Sequence, residues 1–327
     1  MNKKMISFIV IIILLPTVII YSAVSGSIEI SAFELVKGLF TGTNENVLII
    51  KDLRFPRIII ALFAGATLAV SGVLLQAVMR NPLAEPGIIG VSSGAGFMTI
   101  LILTFFPTLF FYTPLFAFIG GAFAFFLVYT FSWKSGLNPL RMILIGVAIH
   151  ALFTGLSELL SAQNASSMMS SVSVTTSTLT MKTWNDVHVI VLYGTIGLLL
   201  AFVLYAWCNH LALKDNTLTN LGFPVNRARF IISIVAVLLA SIATAIAGMF
   251  TFVGLLIPHI GRTLVGNDHK VLIPFSALAG ALLILIADTL GRTIMAPIEI
   301  PASIIMAIIG GPFLIIMLRK SDRIYGN

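Results

Sequence analysis

The sequence predicts an all-α polytopic membrane protein of about ten transmembrane helices, with both termini in the cytoplasm. Of its 327 residues, 58% are hydrophobic and 9% are charged, whereas soluble domains have roughly 45–50% and 25%. The mean hydropathy of +1.08 requires many apolar segments, and ten helices of about 20 residues would use roughly 200 residues of the chain. A single transmembrane domain over residues 1–327 is therefore expected, with no room for a large soluble catalytic domain.

Apolar runs and their interruptions predict the helices in chain order. The uncharged run from Met5 to Ile28 is longer than the apolar core of a signal peptide, so it is interpreted as a retained first span. The uncharged stretch from Pro86 to Trp133 is too long for one helix and is expected to break between Pro107 and Pro114. Together these arguments predict helices near 5–24, 58–79, 87–106, 114–132, 142–161, 187–207, 230–248, 250–264, 271–290 and 301–318.

The eighth helix, near 250–264, is the shortest of the ten. Gly248 and Gly254 interrupt the apolar run from Phe230 to Gly261 and separate this helix from the seventh. Non-helical backbone at membrane depth must be covered by protein or water. We therefore expect the eighth helix to be buried in the bundle or to lie near a membrane surface.

The distribution of basic residues predicts the orientation. With the N-terminus inside, thirteen of the 19 Lys and Arg residues fall in inner loops and six in outer ones, as the positive-inside rule requires. These residues are scattered singly between apolar runs, whereas a nucleic-acid surface needs clustered basic residues. The net charge of +7 therefore indicates membrane topology and no nucleic-acid partner.

Two polar segments are expected outside the membrane. The outer surface segment 25–53 carries Ile30, Phe33, Val36 and Phe40 at a spacing compatible with an amphipathic helix, although a plain connector fits equally well. The Ser/Thr-rich run from Ser161 to Thr180 predicts an exposed outer loop with no assigned chemistry.

Familiar catalytic and metal-binding patterns are mostly lacking. No Gly-Lys dipeptide occurs, so the chain has no Walker A loop for ATP, and its five histidines and one cysteine show no ligand spacing. The run Gly90-Val91-Ser92-Ser93-Gly94 fits Gly-x-Ser-x-Gly, with His150 as a conceivable base, but a nucleophile elbow needs a strand-turn-helix setting. An intramembrane hydrolase remains a minor alternative, which Ser92→Ala would test. We predict no cofactor in this chain.

Ionisable residues near the spans argue against an ion-coupled carrier. Glu158, Asp288, Arg292 and Glu299 all fall at predicted outer span ends, whereas secondary transporters place such groups near the midplane. The sequence therefore favours a passive conduit whose energy source lies on another chain. A secondary transporter or channel is kept as the alternative hypothesis.

Three blocks of sequence carry a family resemblance. The first contains Arg54-Phe55-Pro56-Arg57 and Asn81-Pro82-Leu83-Ala84-Glu85-Pro86-Gly87, and the second contains Pro258-His259-Ile260-Gly261-Arg262. The third contains Glu299-Ile300-Pro301 and Gly310-Gly311-Pro312-Phe313. Together they closely resemble the permease (transmembrane) subunits of type II ABC importers for iron-siderophore, haem and cobalamin.

The resemblance implies site residues on both sides of the membrane. Arg54, Arg57 and Arg292 match arginines that dock acidic residues of a substrate-binding protein, although snorkelling to headgroups would also explain them. A cytoplasmic gate is implied at Asn81, Pro82 and Leu83, with Pro139 and Leu140 opposite; a plain helix stop is the simpler explanation for Asn81-Pro82. The coupling segment, a cytoplasmic loop over about 209–229, would contact the ATPase through a short helical turn at Leu221, Gly222, Phe223 and Pro224.

The resemblance also implies a function and a set of partners. The chain would be a non-catalytic permease subunit that dimerises, as a homodimer or heterodimer, and translocates a ferric siderophore, or else haem or cobalamin. ATP and Mg would bind a partner ATPase dimer. An extracellular substrate-binding protein would deliver the cargo. The bias of this chain toward Ile, Lys and Asn is typical of a low-GC bacterium. In a cell without an outer membrane, the substrate-binding protein would be a surface lipoprotein.

Overall fold

The computed structural model describes residues 3–25, 31–41, 45–132, 139–163 and 179–325. These ranges hold thirteen α-helices, one 3₁₀ turn and no strand. In chain order the helices are α1 (Lys3–Val24), α2 (Ala32–Thr41), α3 (Glu45–Met79), α4 (Val91–Phe105), α5 (Thr113–Ser132), α6 (Pro139–Gln163), α7 (Trp184–Val203), α8 (Tyr205–His210), α9 (Asp215–Asn220), α10 (Val225–Ala247), α11 (Val253–Val265), α12 (His269–Thr293) and α13 (Ala302–Tyr325).

The ten predicted spans are all present in the described ranges. Seven helices are long and apolar enough to cross a membrane, and α4, α11 and the 302–317 part of α13 are shorter apolar helices. The predicted start of the second span near 58 was wrong, because α3 begins at Glu45 and carries Lys51, Asp52 and Arg54 on an outer extension. The predicted single helix over 187–207 is divided between α7 and α8 at Leu204.

The two predicted breaks between helices are both present, one beginning at a proline and the other at a glycine. Between α4 and α5, Pro107–Tyr112 forms a 3₁₀ turn. Between α10 and α11, Gly248 has φ 90° and Phe252 has φ 68°, while Gly254 lies inside α11 and is not part of the break. Helix α11 has 13 residues, most of them buried, which confirms that the short eighth span lies inside the bundle.

Helix α3 forms the centre of the bundle and packs against α7, α10, α11 and α12. Small residues allow these close contacts: a Cβ added at Gly65 would overlap the backbone carbonyl of Gly280, and one at Gly72 would overlap that of Gly254. Gly65 and Ala69, four residues apart on α3, both face Gly280 and therefore allow close backbone approach between α3 and α12.

The outer surface segment is partly helical. Helix α2 confirms a helix, in which Phe33 is 76% exposed and Leu35 is buried, and the apolar stripe stays a prediction. Ile30 and the side chains of Val36 and Phe40 lie outside the described residues, as does most of the Ser161 to Thr180 loop.

Candidate functional site

The outer end of the bundle holds a compact cluster of charged side chains built around Arg57. Its Nε donates to Oδ1 and Oδ2 of Asp288 at 3.0 and 2.9 Å, and its Nη2 donates to Oδ1 at 2.9 Å. Its Nη1 donates to Oε2 of Glu299 at 2.8 Å. One guanidinium thus joins α3, α12 and the loop that leads into α13.

Arg54 and Arg292 hold the C-terminal end of α1. Arg54 Nη1 donates to the carbonyls of Ala23 and Val24 at 2.7 and 3.0 Å. Arg292 Nη2 donates to the carbonyl and Oγ of Ser22 at 3.0 and 2.7 Å. The last carbonyls of a helix lack partners within the helix, and α1 has no basic residue in its own last turn. Arginines from α3 and α12 therefore cap it.

The cluster brings together all three arginines that the sequence predicted for docking. Each is only 9% exposed, so they are less accessible than their assignment as an outer docking surface implied. The side chain of Asp288 is 1% exposed and that of Glu299 is 42% exposed. Glu299 is therefore the acidic group of the cluster that meets solvent. Asp288 is the buried counterion of Arg57.

Glu299 is held by two donors. Besides Arg57, Oγ1 of Thr180 donates to its Oε2 at 3.0 Å. Partial burial by itself would raise the pKa of Glu299, but the hydrogen bond and positive charge of Arg57, with Thr180 and Arg292, lower it below the ordinary value. The sequence singled out Asp288 and Glu299 only as charges at span ends; that they pair with Arg57 was missed because the pairing joins residues more than 230 positions apart.

At the cytoplasmic end of α3, the predicted gate residues form a tight turn. Asn81 is buried, its Oδ1 accepts the backbone N–H of Leu83 at 2.9 Å, and its carbonyl accepts that of Ala84 at 3.1 Å. Pro82 is exposed at the tip. Pro139 and Leu140 begin α6, but their side chains lie outside the described residues, so the opposition of these residues stays a prediction.

A buried carboxyl group next to this turn was missed by sequence reasoning. Glu85 is 1% exposed, and its Oε1 accepts the backbone N–H of Phe252 at 3.1 Å, with Leu255 as a further backbone donor. Its side chain thus caps the N-terminus of α11, whose N-cap residue, Phe252, offers no side-chain oxygen. The acidic residue inside Asn81 to Gly87 was the available signal, since an acid in an apolar stretch needs donors.

The coupling segment differs from its prediction. The short helix is α9 at Asp215–Asn220, and Leu221, Gly222, Phe223 and Pro224 form the turn after it. Gly222 has φ 74°, and Pro224 has no N–H to continue a helical ladder, so the expectation of a helical turn at 221–224 was wrong.

Two arginines fix α9 from neighbouring elements. Arg80 Nη2 lies 2.7 Å from Oδ1 of Asp215, and Arg229 Nη2 lies 3.0 Å from the same oxygen. The ring of Phe223 packs against those of His210 and Trp207, with centroids 5.0 and 6.3 Å apart. The coupling segment is thereby tied to the ends of α3, α8 and α10.

The hydrolase alternative lacks its geometry. Ser92 lies in the first turn of helix α4 after Gly90, which has φ 82°. Neither Ser92 Oγ nor His150 Nδ1 has a hydrogen-bond partner within the described part of the chain, so no serine–base pair is formed there. Among the same residues, no group of three or more His, Cys, Asp or Glu could hold a metal ion.

Comparisons with known proteins agree with this architecture. The FecCD transport family model matches residues 11–320. The chain is 44% identical over 322 residues to "Probable heme-iron transport system permease protein IsdF" of Staphylococcus aureus strains MSSA476 and MW2, covering 98% of both chains.

Solved structures extend the comparison to the fold. A metal-chelate type ABC transporter in an inward-facing conformation matches with a TM-score of 0.80 and 30% identity, over 96% of this chain and 99% of that one. PsaBC from Streptococcus pneumoniae matches with a TM-score of 0.61 and 16% identity over 88% and 95%, a likeness of fold alone. The chain is a multi-pass protein of the cell membrane, and it belongs to the FecCD transport family of type II ABC importer permeases.

Proposed function

We propose that this chain is the permease subunit of an ATP-driven importer that carries haem iron across the cell membrane. The observation that supports haem most directly is the 44% identity, over 98% of both chains, to a permease named for heme-iron transport. The sequence had ranked ferric siderophores first. That ranking rested on how the family is populated, and the relatives now favour haem.

A ferric siderophore is the second candidate cargo. The solved structure with a TM-score of 0.80 is described as a transporter of metal-chelate type, and that term includes siderophores as well as haem. Because a bulky chelate makes few specific contacts inside an apolar pathway, we expect selectivity to lie mainly in a binding protein.

The work of transport is proposed to come from partner chains. The chain lacks a Walker A loop, so ATP and Mg would bind an ATPase dimer that contacts the coupling segment around α9. A second permease copy, identical or homologous, would complete the pathway. Closure of the ATPases would then tilt the coupling segments and switch access between the two sides of the membrane.

Docking of a substrate-binding protein, in this proposal, uses the Arg54, Arg57 and Arg292 cluster. Three guanidinium groups and two carboxylates leave an excess of one positive charge, which favours an acidic partner. Because Glu299 is the exposed acid on Arg57, a partner carboxylate would have to replace it. The docking surface is thus expected to open by exchange of one carboxylate for another.

Uptake by a deletion strain tests the proposal. Labelled haem, ferric hydroxamate, ferric catecholate and cobalamin are supplied separately, with the strain complemented by the wild-type gene as the control. Loss of haem uptake alone, restored by the gene, supports the proposed cargo, whereas loss of siderophore uptake alone replaces haem with the second candidate. Haem uptake that persists when the partner ATPase is inactivated would contradict the ATP-driven importer and favour a secondary transporter.

A further inference from the structure

A groove between α5 and α10 is left unused by the proposed transport function. It encloses about 370 Å³ and runs from Phe118 to Tyr129 on α5 and from Asn226 to Val237 on α10. At 1.5 Å per residue, each side is about 16 Å long, which is about half the ~30 Å hydrocarbon core of a bilayer. The groove therefore has the depth of one leaflet.

The groove has an apolar length and one polar end. Its walls are mainly aromatic and aliphatic, and Phe126 and Phe230 beside it are 60% and 66% exposed, as expected for side chains that face lipid. Tyr129, Asn226 and Arg229 lie at the end where α5 finishes and α10 begins. With both termini in the cytoplasm, this end lies at the level of the inner headgroups.

The polar end carries excess positive charge. Arg229 and Arg80 share the single carboxylate of Asp215, at 3.0 and 2.7 Å. Arg229 is 8% exposed, and its Nε has no hydrogen-bond partner over the ranges that the structure describes.

The start of α10 adds to this field. Its first turn has no acidic residue, and Pro224 at the N-cap provides no side-chain hydrogen bond. Within its own first turn, α10 therefore has no acidic side chain to compensate the positive end of the helix dipole.

We propose that this groove binds one anionic phospholipid of the inner leaflet. An acyl chain would lie along the aromatic walls, and the headgroup phosphate would contact the guanidinium of Arg229, which suits phosphate better than an ammonium group does. The lipid phosphate would share Arg229 with Asp215 and would therefore lie beside α9.

Native mass spectrometry of the full-length chain in detergent tests this site. The protein is titrated with phosphatidylglycerol or with phosphatidylcholine of the same acyl chains. Wild type is expected to bind phosphatidylglycerol about tenfold more tightly. Arg229→Gln should remove that preference, and the matched control Arg227→Gln, an exposed arginine two residues away, should keep it.

Two further variants separate the site from general lipid adhesion. Ser233→Phe fills the groove without changing charge and should abolish the preference even if Arg229→Gln fails to fold. Asp215→Asn frees Arg229 and should strengthen phosphatidylglycerol binding. Equal binding of the two lipids by wild type, or a preference retained in Ser233→Phe, would overturn the proposal. Displacement of the lipid by millimolar inorganic phosphate would also overturn it, because it would indicate a site for free phosphate.

Discussion

Arg57 on α3 and Asp288 on α12 form a buried ion pair in which Nε and Nη2 donate to the carboxylate at 2.9–3.0 Å. Both partners come from helices whose backbones also approach each other closely, at Gly65 and Gly280. The outer charge pair and the small-residue contact therefore fix the same helix pair at two heights.

Removing the buried carboxylate should destabilise the protein strongly. Asp288→Asn leaves Arg57 inside the bundle without its main counterion, and breaking a buried pair costs about 3–5 kcal/mol. Thermal unfolding in detergent measures the change. Glu158→Gln, an exposed acid on α6, is the control and should change stability by less than about 0.5 kcal/mol. Equal losses in the two variants would contradict a structural role for the pair.

Glu299 should weaken docking of the substrate-binding protein, if docking uses Arg57 as proposed. Glu299→Gln removes the competing charge at a half-exposed position, where such pairs contribute up to about 1 kcal/mol, so affinity should rise up to about fivefold. Surface plasmon resonance measures this affinity, with the substrate-binding protein that supports uptake in the same strain. An unchanged affinity, with Glu158→Gln as the reference, would show that Glu299 does not occupy the docking position.

The contribution of Glu299 to stability should depend on pH in one direction. Arg57 and Thr180 lower the pKa of Glu299 below its ordinary value of 4.5, so the folded state favours the ionised form. The resulting stabilisation is present above pH 4.5 and is lost as the pH falls through the lowered pKa. Melting midpoints of wild type and Glu299→Gln should therefore differ at pH 7 and converge in acid. A gap that widens below pH 4.5 would contradict the assignment.

The sequence predicted the spans well because apolar length and Pro or Gly breaks act locally. Ten spans and the buried position of α11 follow from such signals. Helix starts were less predictable where charged residues continue a helix beyond the membrane, as Lys51 and Arg54 do on α3. A hydropathy boundary marks the bilayer, whereas the helical hydrogen bonds extend past it.

The pairings at the site could not be predicted in the same way. Arg57, Asp288 and Glu299 were each identifiable as charges near the outer surface, but their contacts depend on how α3, α12 and the loop before α13 assemble. Glu85 is the reverse case. Its position in an apolar motif signals a need for donors, yet the donors come from a helix start some 167 residues later.

Glu85 should be replaceable by an acceptor but not by an apolar group. Glu85→Gln keeps an oxygen for the N–H of Phe252 and should cost less than about 1 kcal/mol. Glu85→Leu fills a similar volume but leaves buried N–H groups unsatisfied, at about 1–3 kcal/mol each. Comparing the two melting midpoints measures the cap. If both variants melt together, the carboxyl group does not cap α11.

The contact between α3 and α12 should tolerate no added methyl group. A Cβ at Gly65 would overlap the backbone carbonyl of Gly280, whereas one at Gly155 on α6 would have nothing within 4 Å. Gly65→Ala must therefore separate two backbones that are held together by the Arg57–Asp288 pair above them, while Gly155→Ala gains helix propensity at no steric cost. We expect a large loss of monodisperse protein in size-exclusion chromatography for Gly65→Ala and none for Gly155→Ala. Equal yields would mean that α3 and α12 can separate by about an ångström without losing the fold, and the close-packed centre described above would then be wrong.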